Sequence, residues 1–197
     1  MKKLFSLIIL LTASLTNIDH ALSISPDVFI QSTVNRASNI LSKDISKDEK
    51  MSKLKLIAKE TVDIRGIGIY SLGYAKKNLN ETQEKNYSDL FEKYFLKSFA
   101  SRLAEYTNPE IEVKNKEVLN KTYTIVNSVL VSSAERPEIN IDWRVYTKNP
   151  NNPLIRDLII EGLSLARTQR EEFSSILNSN DGDINALFKI LNDFSKN

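Results

Sequence analysis

The hydrophobic period of this chain changes twice, and those changes confine what it can fold into. From Asn80 to Tyr106 the large apolar residues Tyr87, Leu90, Phe91, Tyr94, Phe95, Phe99, Leu103 and Tyr106 recur at intervals of three and four. That is the spacing of one helical face, here rich in aromatic rings. Asn80 and Gln83 are placed to form a capping box at its start, and Asn108-Pro109 ends it. Beyond Pro109 the period is two. Ile111 and Val113 alternate with glutamates, and Tyr123, Ile125, Val129 and Val131 alternate across 122–133. Ile139, Ile141, Trp143 and Val145 alternate with Asn140, Asp142, Arg144 and Tyr146. Lys148 to Pro153 carries turn residues, and Leu154 to Ile160 reads as a further strand. Alternation broken by short turns predicts three or four antiparallel strands in a meander.

Helical spacing flanks this block on both sides. Pro26 opens a pattern through Val28, Phe29, Val34, Ala37, Ile40 and Leu41. After a charged break at 43–50, Leu54, Ile57, Ala58 and Val62 continue it. Residues 63–74 carry Ile64, Ile67, Ile69, Tyr70, Leu72 and Tyr74, which cannot share one helical face. Such a segment is buried between layers or lines a cavity. At the far end a strand stops at Ile160. Gly162 allows a sharp corner there, and Ser164 caps a helix through Leu165, Ala166, Phe173, Ile176 and Leu177. Asp183 begins a last helix with Ile184, Leu187, Phe188, Leu191 and Phe194 on one face. Helices, then an antiparallel sheet, then helices make an α+β domain. The expectation is a curved antiparallel sheet of about four strands, covered by N-terminal, central and C-terminal helices, enclosing an apolar pocket. Residues 24–197 suit one such domain.

The first residues address the chain. Met1-Lys2-Lys3, the apolar run Leu4–Leu15 and Ala21-Leu22-Ser23 read as a secretory signal peptide over 1–23. Its apolar run is short for a membrane span. No cysteine follows, so no lipid anchor is expected, and disulfide and thiolate chemistry are excluded. The single histidine, His20, lies in the signal region. A mature chain without Cys or His has no Ser-His-Asp triad, no Cys-His pair and no His-rich zinc site. No cofactor or metal is expected. A formal net charge of +2 with no dense Lys/Arg block gives no reason to expect nucleic acid.

The corner carries a resemblance. Asp157-Leu-Ile-Ile-Glu161-Gly-Leu-Ser-Leu165, followed by Thr168, Arg170 and Phe173, resembles the signature of the MlaC (toluene-tolerance) family of periplasmic phospholipid-binding proteins. The order of Leu72-Gly73, Gln83, the aromatic helix, Asp142-Trp143-Arg144 and the helix ending near Leu191 agrees, over about residues 26–194. One departure is that Tyr74, Ala75 and Lys76 stand where the family places further aromatics.

The resemblance implies a periplasmic carrier, not an enzyme. Its cavity would hold phospholipid acyl chains. Its partners would be an inner-membrane ABC transporter complex with a lipid-binding subunit and an outer-membrane lipoprotein complex, and its role the maintenance of outer-membrane lipid asymmetry. A monomer is expected. Burying one acyl chain of roughly sixteen carbons involves on the order of 10 kcal/mol, which calls for a deep apolar cavity. The expected walls are Ile64, Ile67, Leu72, Phe91, Phe95 and Phe99 from the helices. From the sheet they are Ile125, Val129, Val131, Trp143, Val145, Leu158 and Ile160. Lys76, Lys77, Arg102 or Arg156 would meet a headgroup phosphate. The alternatives are a hopanoid-associated relative, a small pocketed α+β enzyme of isomerase or hydratase type using Asp63, Asp142, Asp157 or Glu161, and an interaction protein with a filled core.

Overall fold

The computed structural model describes residues 23–134 and 136–196; the expected signal segment, apart from Ser23, and His20 lie outside them. Four helices come first: α1 (Pro26–Leu41), α2 (Lys47–Thr61), α3 (Ile64–Leu72) and α4 (Glu81–Leu103), with a 3₁₀ turn over Gly73–Asn78. The sheet follows as β1 (Ile111–Asn120), β2 (Tyr123–Leu130), β3 (Ile139–Tyr146), β4 (Leu154–Ile160) and β5 (Leu163–Ser164). Helices α5 (Leu165–Asn178) and α6 (Ile184–Lys196) close the chain. None of the described helices is long and apolar enough to cross a membrane.

Local chemistry sets the boundaries. The Asn80 side chain accepts the Gln83 amide at 2.9 Å, and Gln83 Oε1 accepts the Asn80 amide at 3.0 Å, closing the capping box. Helix α4 stops at Leu103, short of Tyr106. The amides of Glu105 and Tyr106 reach only the carbonyls three residues back, so the last turn tightens and unwinds. Tyr106 ends up 37% exposed.

All strand pairs are antiparallel, in the order β1-β2-β3-β4-β5. The fifth strand, beyond the four expected, follows from the corner at 161–162. Glu161 and Gly162 have φ values of 47° and 81°. Positive φ at both central residues of a two-residue loop lets the chain fold back with the twist of the sheet. Leu163 and Ser164 then pair with Ile160 and Ile159 before α5 begins. Glu161 pays the strain of this conformation with a purpose: its carboxylate accepts from the Asn140 amide and side chain.

The register assigns the two faces of the sheet. Val126 pairs with Trp143, and Trp143 with Leu158; Ser128 pairs with Ile141, and Ile141 with Ile160. Thr124, Val126, Ser128 and Leu130 therefore share a face with Trp143 and Val145. On this face Val126, Leu130, Ile141, Trp143, Val145 and Ile155 form one buried cluster with Ile30, Val34, Phe91, Phe173, Leu187 and Leu191 of the helices. Helix α1 lies on β1 and β2, α5 on β4, and α4 packs against α2, α3 and α6.

Helix α4 approaches α3 closely because residue 68 is glycine. A Cβ there would sit 2.8 Å from the Phe91 ring. One turn away, the Tyr87 hydroxyl donates to the Gly68 carbonyl at 2.9 Å. Burial pushes the Tyr87 phenol well above its ordinary range. Its protonated form is thus favoured by folding. That stability is present in full below about pH 10, the ordinary phenol pKa, and falls as pH rises further. Tyr87→Phe should cost about 1 kcal/mol at neutral pH yet lose less stability than the wild type on going from about pH 8 to pH 11. Urea unfolding of both proteins at the two pH values measures the difference.

Candidate functional site

Two concavities flank Tyr70. The larger, about 520 Å3, is a shallow polar trough on α5 lined by Arg167, Arg170, Ser174, Ser175 and neighbours. The smaller, about 380 Å3, lies where α3, the β1–β2 turn, the sheet and the start of α5 converge. Gly66, Ile67, Tyr70, Leu119, Asn120, Tyr123, Arg144, Arg156, Asp157 and Ala166 line it. Its volume is within the range of small-molecule sites, about 300–1,000 Å3. Ile67 and Ala166 belong to the buried core as well as to this cleft. The cleft is therefore a place where solvent reaches the main core.

The charged wall of the cleft is built by a bulge. Arg144 pairs with Asp157 and Val145 with Ile155, which leaves Arg156 as the extra residue. The bulge turns Arg156 onto the side of Tyr123 and Tyr146. Its Nε donates to Asp63 Oδ2 at 2.6 Å and its Nη1 to the Tyr123 hydroxyl at 2.6 Å. The guanidinium lies 3.7 Å from the Tyr146 ring centre. Partial burial pulls its pKa down, but the hydrogen bonds to Tyr123 and Asp63 outweigh that and hold it above its ordinary value. Asp63 is also the N-cap of α3, accepting the Gly66 amide at 2.8 Å. One ion pair thus ties α3 to β4.

Asp157 organises the other side. Only 4% exposed, it accepts the Ser164 hydroxyl at 2.6 Å and the Ala166 amide at 3.0 Å. Ser164 Oγ in turn accepts the Arg167 amide at 3.1 Å. The start of α5 is held by this carboxylate. Arg144 Nη1 stands 4.0 Å from Asp157 Oδ2, too far for a hydrogen bond. Its Nε is buried and has no hydrogen-bond partner. Among the described residues no group of three or more His, Cys, Asp or Glu side chains is placed to hold a metal ion.

The residues expected to wall a cavity distribute as follows. Ile67, Leu72, Phe91, Trp143 and Val145 are buried in the main core, and Ile64, Phe95, Phe99 and Leu158 pack half-buried against it. Ile160 is half-buried at the end of β4, on the core side by its pairing with Ile141. Ile125 and Val129 do not join them. Paired with Arg144 and Asn140, they lie on the opposite face of the sheet from Trp143. Val131 lies beyond the end of β2, its amide bonded to the Glu110 carbonyl. The alternation in β2 misled because both of its faces carry apolar residues. Its core face also includes the polar residues Thr124 and Ser128, both buried. Ser128 is buried because its hydroxyl donates to Ile141 O at 2.9 Å and accepts from the Trp143 indole at 2.8 Å.

Of the expected wall, Ile67 alone lines either cleft described above. Of the expected headgroup cations, Arg156 lines the smaller cleft, while Lys76, Lys77 and Arg102 line neither. Arg144, Tyr70, Leu119 and Ala166 were not singled out as site residues by sequence reasoning. Arg144 had one available signal, its place beside Trp143 on the solvent phase of a strand.

An α+β domain of helices packed on a curled antiparallel sheet, with a cleft opening onto the shared core, is the class this geometry defines. A solved structure of the same fold is the phospholipid-binding protein from Ralstonia solanacearum in complex with a phospholipid. It matches with a TM-score of 0.73 and 18% identity, over 88% of this chain and 98% of that one. No curated protein sequence is significantly similar to this chain. The profile of the MlaC protein family matches residues 31–193. The chain belongs to the MlaC family.

Proposed function

We propose that this protein is a periplasmic phospholipid carrier, holding acyl chains between its helices and the core face of its sheet. Family membership carries the reading, supported by a fold shared with a protein solved with phospholipid bound. The chemistry fits. A carrier needs apolar surface to replace water around the tails and no reacting group. The core face of the sheet carries Val126, Leu130, Ile141, Trp143 and Val145, which share one buried cluster with Phe91 of α4 and Phe173 of α5. The polar side chains Ser128 and Trp143 on that face are bonded to the sheet itself. In this reading acyl chains enter beside Ile67 and Ala166 and part the sheet from the helices. As a monomer, the protein passes its lipid between an inner-membrane ABC transporter complex and an outer-membrane lipoprotein complex, and so maintains outer-membrane lipid asymmetry. The basic and apolar start of the chain supports export to the periplasm.

Native mass spectrometry of the protein purified from the periplasm without detergent tests the reading. The expected result is an added mass equal to a phospholipid, confirmed by lipid extraction. A hopanoid mass would move the ligand class. A bare mass that persists after incubation with phospholipid vesicles would overturn the carrier reading.

A further inference from the structure

We propose that Arg144 is the phosphate-binding residue of the cleft between α3, the β1–β2 turn and α5. The inference rests on the carrier reading and adds the group that recognises the lipid's polar end.

Two guanidinium groups line this cleft, and they differ in how far protein partners already hold them. Arg156 is committed: its Nε is bonded to Asp63, its Nη1 to Tyr123, and its plane lies against Tyr146. Arg144 has no hydrogen bond at Nε, and its nearest carboxylate oxygen is 4.0 Å away. An unpaired buried guanidinium nitrogen is costly unless a partner arrives.

The exposure is one-sided. The Arg144 side chain is 41% exposed, whereas that of Asp157 is 2% exposed and has each oxygen already bonded, one to Ser164 and one to Ala166. Asp157 also lines the cleft, but a ligand entering it meets mainly the cation, since the counterion is almost fully covered and its oxygens are engaged. Guanidinium presents paired N–H groups that match two oxygens of a phosphate. The remaining lining suits the rest of a phospholipid. Ile67 and Ala166 lead into the core, and Leu119 and Tyr70 stand at the rim, 47% and 43% exposed. Arg144 lies on the face of the sheet opposite Trp143, and from there Ile67 and Ala166 are the apolar residues that lead the glycerol and tails toward the core.

The test measures binding by calorimetry for wild type, Arg144→Gln, Arg144→Lys and Lys43→Gln, a change in the α1–α2 link. The probes are dihexanoyl phosphatidylglycerol, dihexanoylglycerol (the same tails without phosphate) and inorganic phosphate. Wild type should prefer the phospholipid to the diacylglycerol by about tenfold, the value of one charge-assisted contact. Arg144→Gln should abolish that preference while still binding diacylglycerol. Arg144→Lys should retain part of it, and Lys43→Gln all of it. Retained diacylglycerol binding shows that Arg144→Gln is folded. An unchanged preference in Arg144→Gln would overturn the proposal and leave the carrier reading standing. Failure of wild type to bind either amphiphile would overturn both. Arg144-dependent binding of inorganic phosphate, with no preference between the two amphiphiles, would assign the site to free phosphate and overturn its lipid role.

Discussion

Phe91→Ala is expected to destabilise the domain by about 3–5 kcal/mol, the usual cost of emptying a fully packed aromatic site. Phe91 is 2% exposed and is the ring around which the helices meet. Its centroid lies 5.7 Å from Tyr87, 6.3 Å from Tyr94, 6.1 Å from Phe95 and 6.1 Å, edge-on, from Phe173. It therefore joins α4 to α5 and, through the bare backbone of Gly68, to α3. No neighbour can collapse into the space without abandoning another contact. For a domain of this size the loss corresponds to a drop in Tm of roughly 6–20 °C. Native stability is only about 5–15 kcal/mol, so the loss is a large fraction of the total. Urea denaturation with far-ultraviolet circular dichroism measures it. A loss below about 1 kcal/mol would show that the ring is not the junction described here.

The second large effect is at Asp157. Asp157→Ala removes the acceptor for the Ser164 hydroxyl and the Ala166 amide, both buried, and takes the nearest counter-charge from Arg144. Leaving two buried donors unsatisfied costs about 2–5 kcal/mol. Asp157→Asn keeps one acceptor oxygen and should cost roughly half as much. The position of the damage distinguishes this from general core loss. Hydrogen exchange should quicken first at the amides of Ala166 and Arg167, while those in the middle of α6 keep their protection until global unfolding. Uniform loss of protection across α5 and α6 would mean that Asp157 supports the whole domain and not the start of one helix.

The sequence pattern announced the elements well and their facing less well. The capping box at Asn80 and Gln83, the aromatic spacing of α4 and the corner at Glu161-Gly162 are local, and local chemistry decides them. The facing of β2 is not local. Ile125 and Val129 are as apolar as Val126 and Leu130, so only the pairing with Trp143 tells which set turns inward. The segment 63–74 was legible as strongly apolar but not as half exposed. Tyr70 and Tyr74 stand outward, and the Arg170 guanidinium lies 5.1 Å and 5.9 Å from their ring centres. The cleft was the least legible part. It depends on a bulge that redirects Arg156 and on three segments distant in sequence, at 66–70, 119–123 and 144–166. No spacing within any one of them encodes the meeting point.

Trp143 is the only tryptophan of the chain, and its ring is pinned on the core face of the sheet by the bond to Ser128. Light absorbed by tryptophan is therefore emitted from one fixed point, between sheet and helices, and its colour registers how wet that point is. With an oily guest beside it the emission stays blue; with water admitted it moves to the red. In the proposed carrier this ring is a built-in optical gauge of loading, legible in a cuvette without any attached dye.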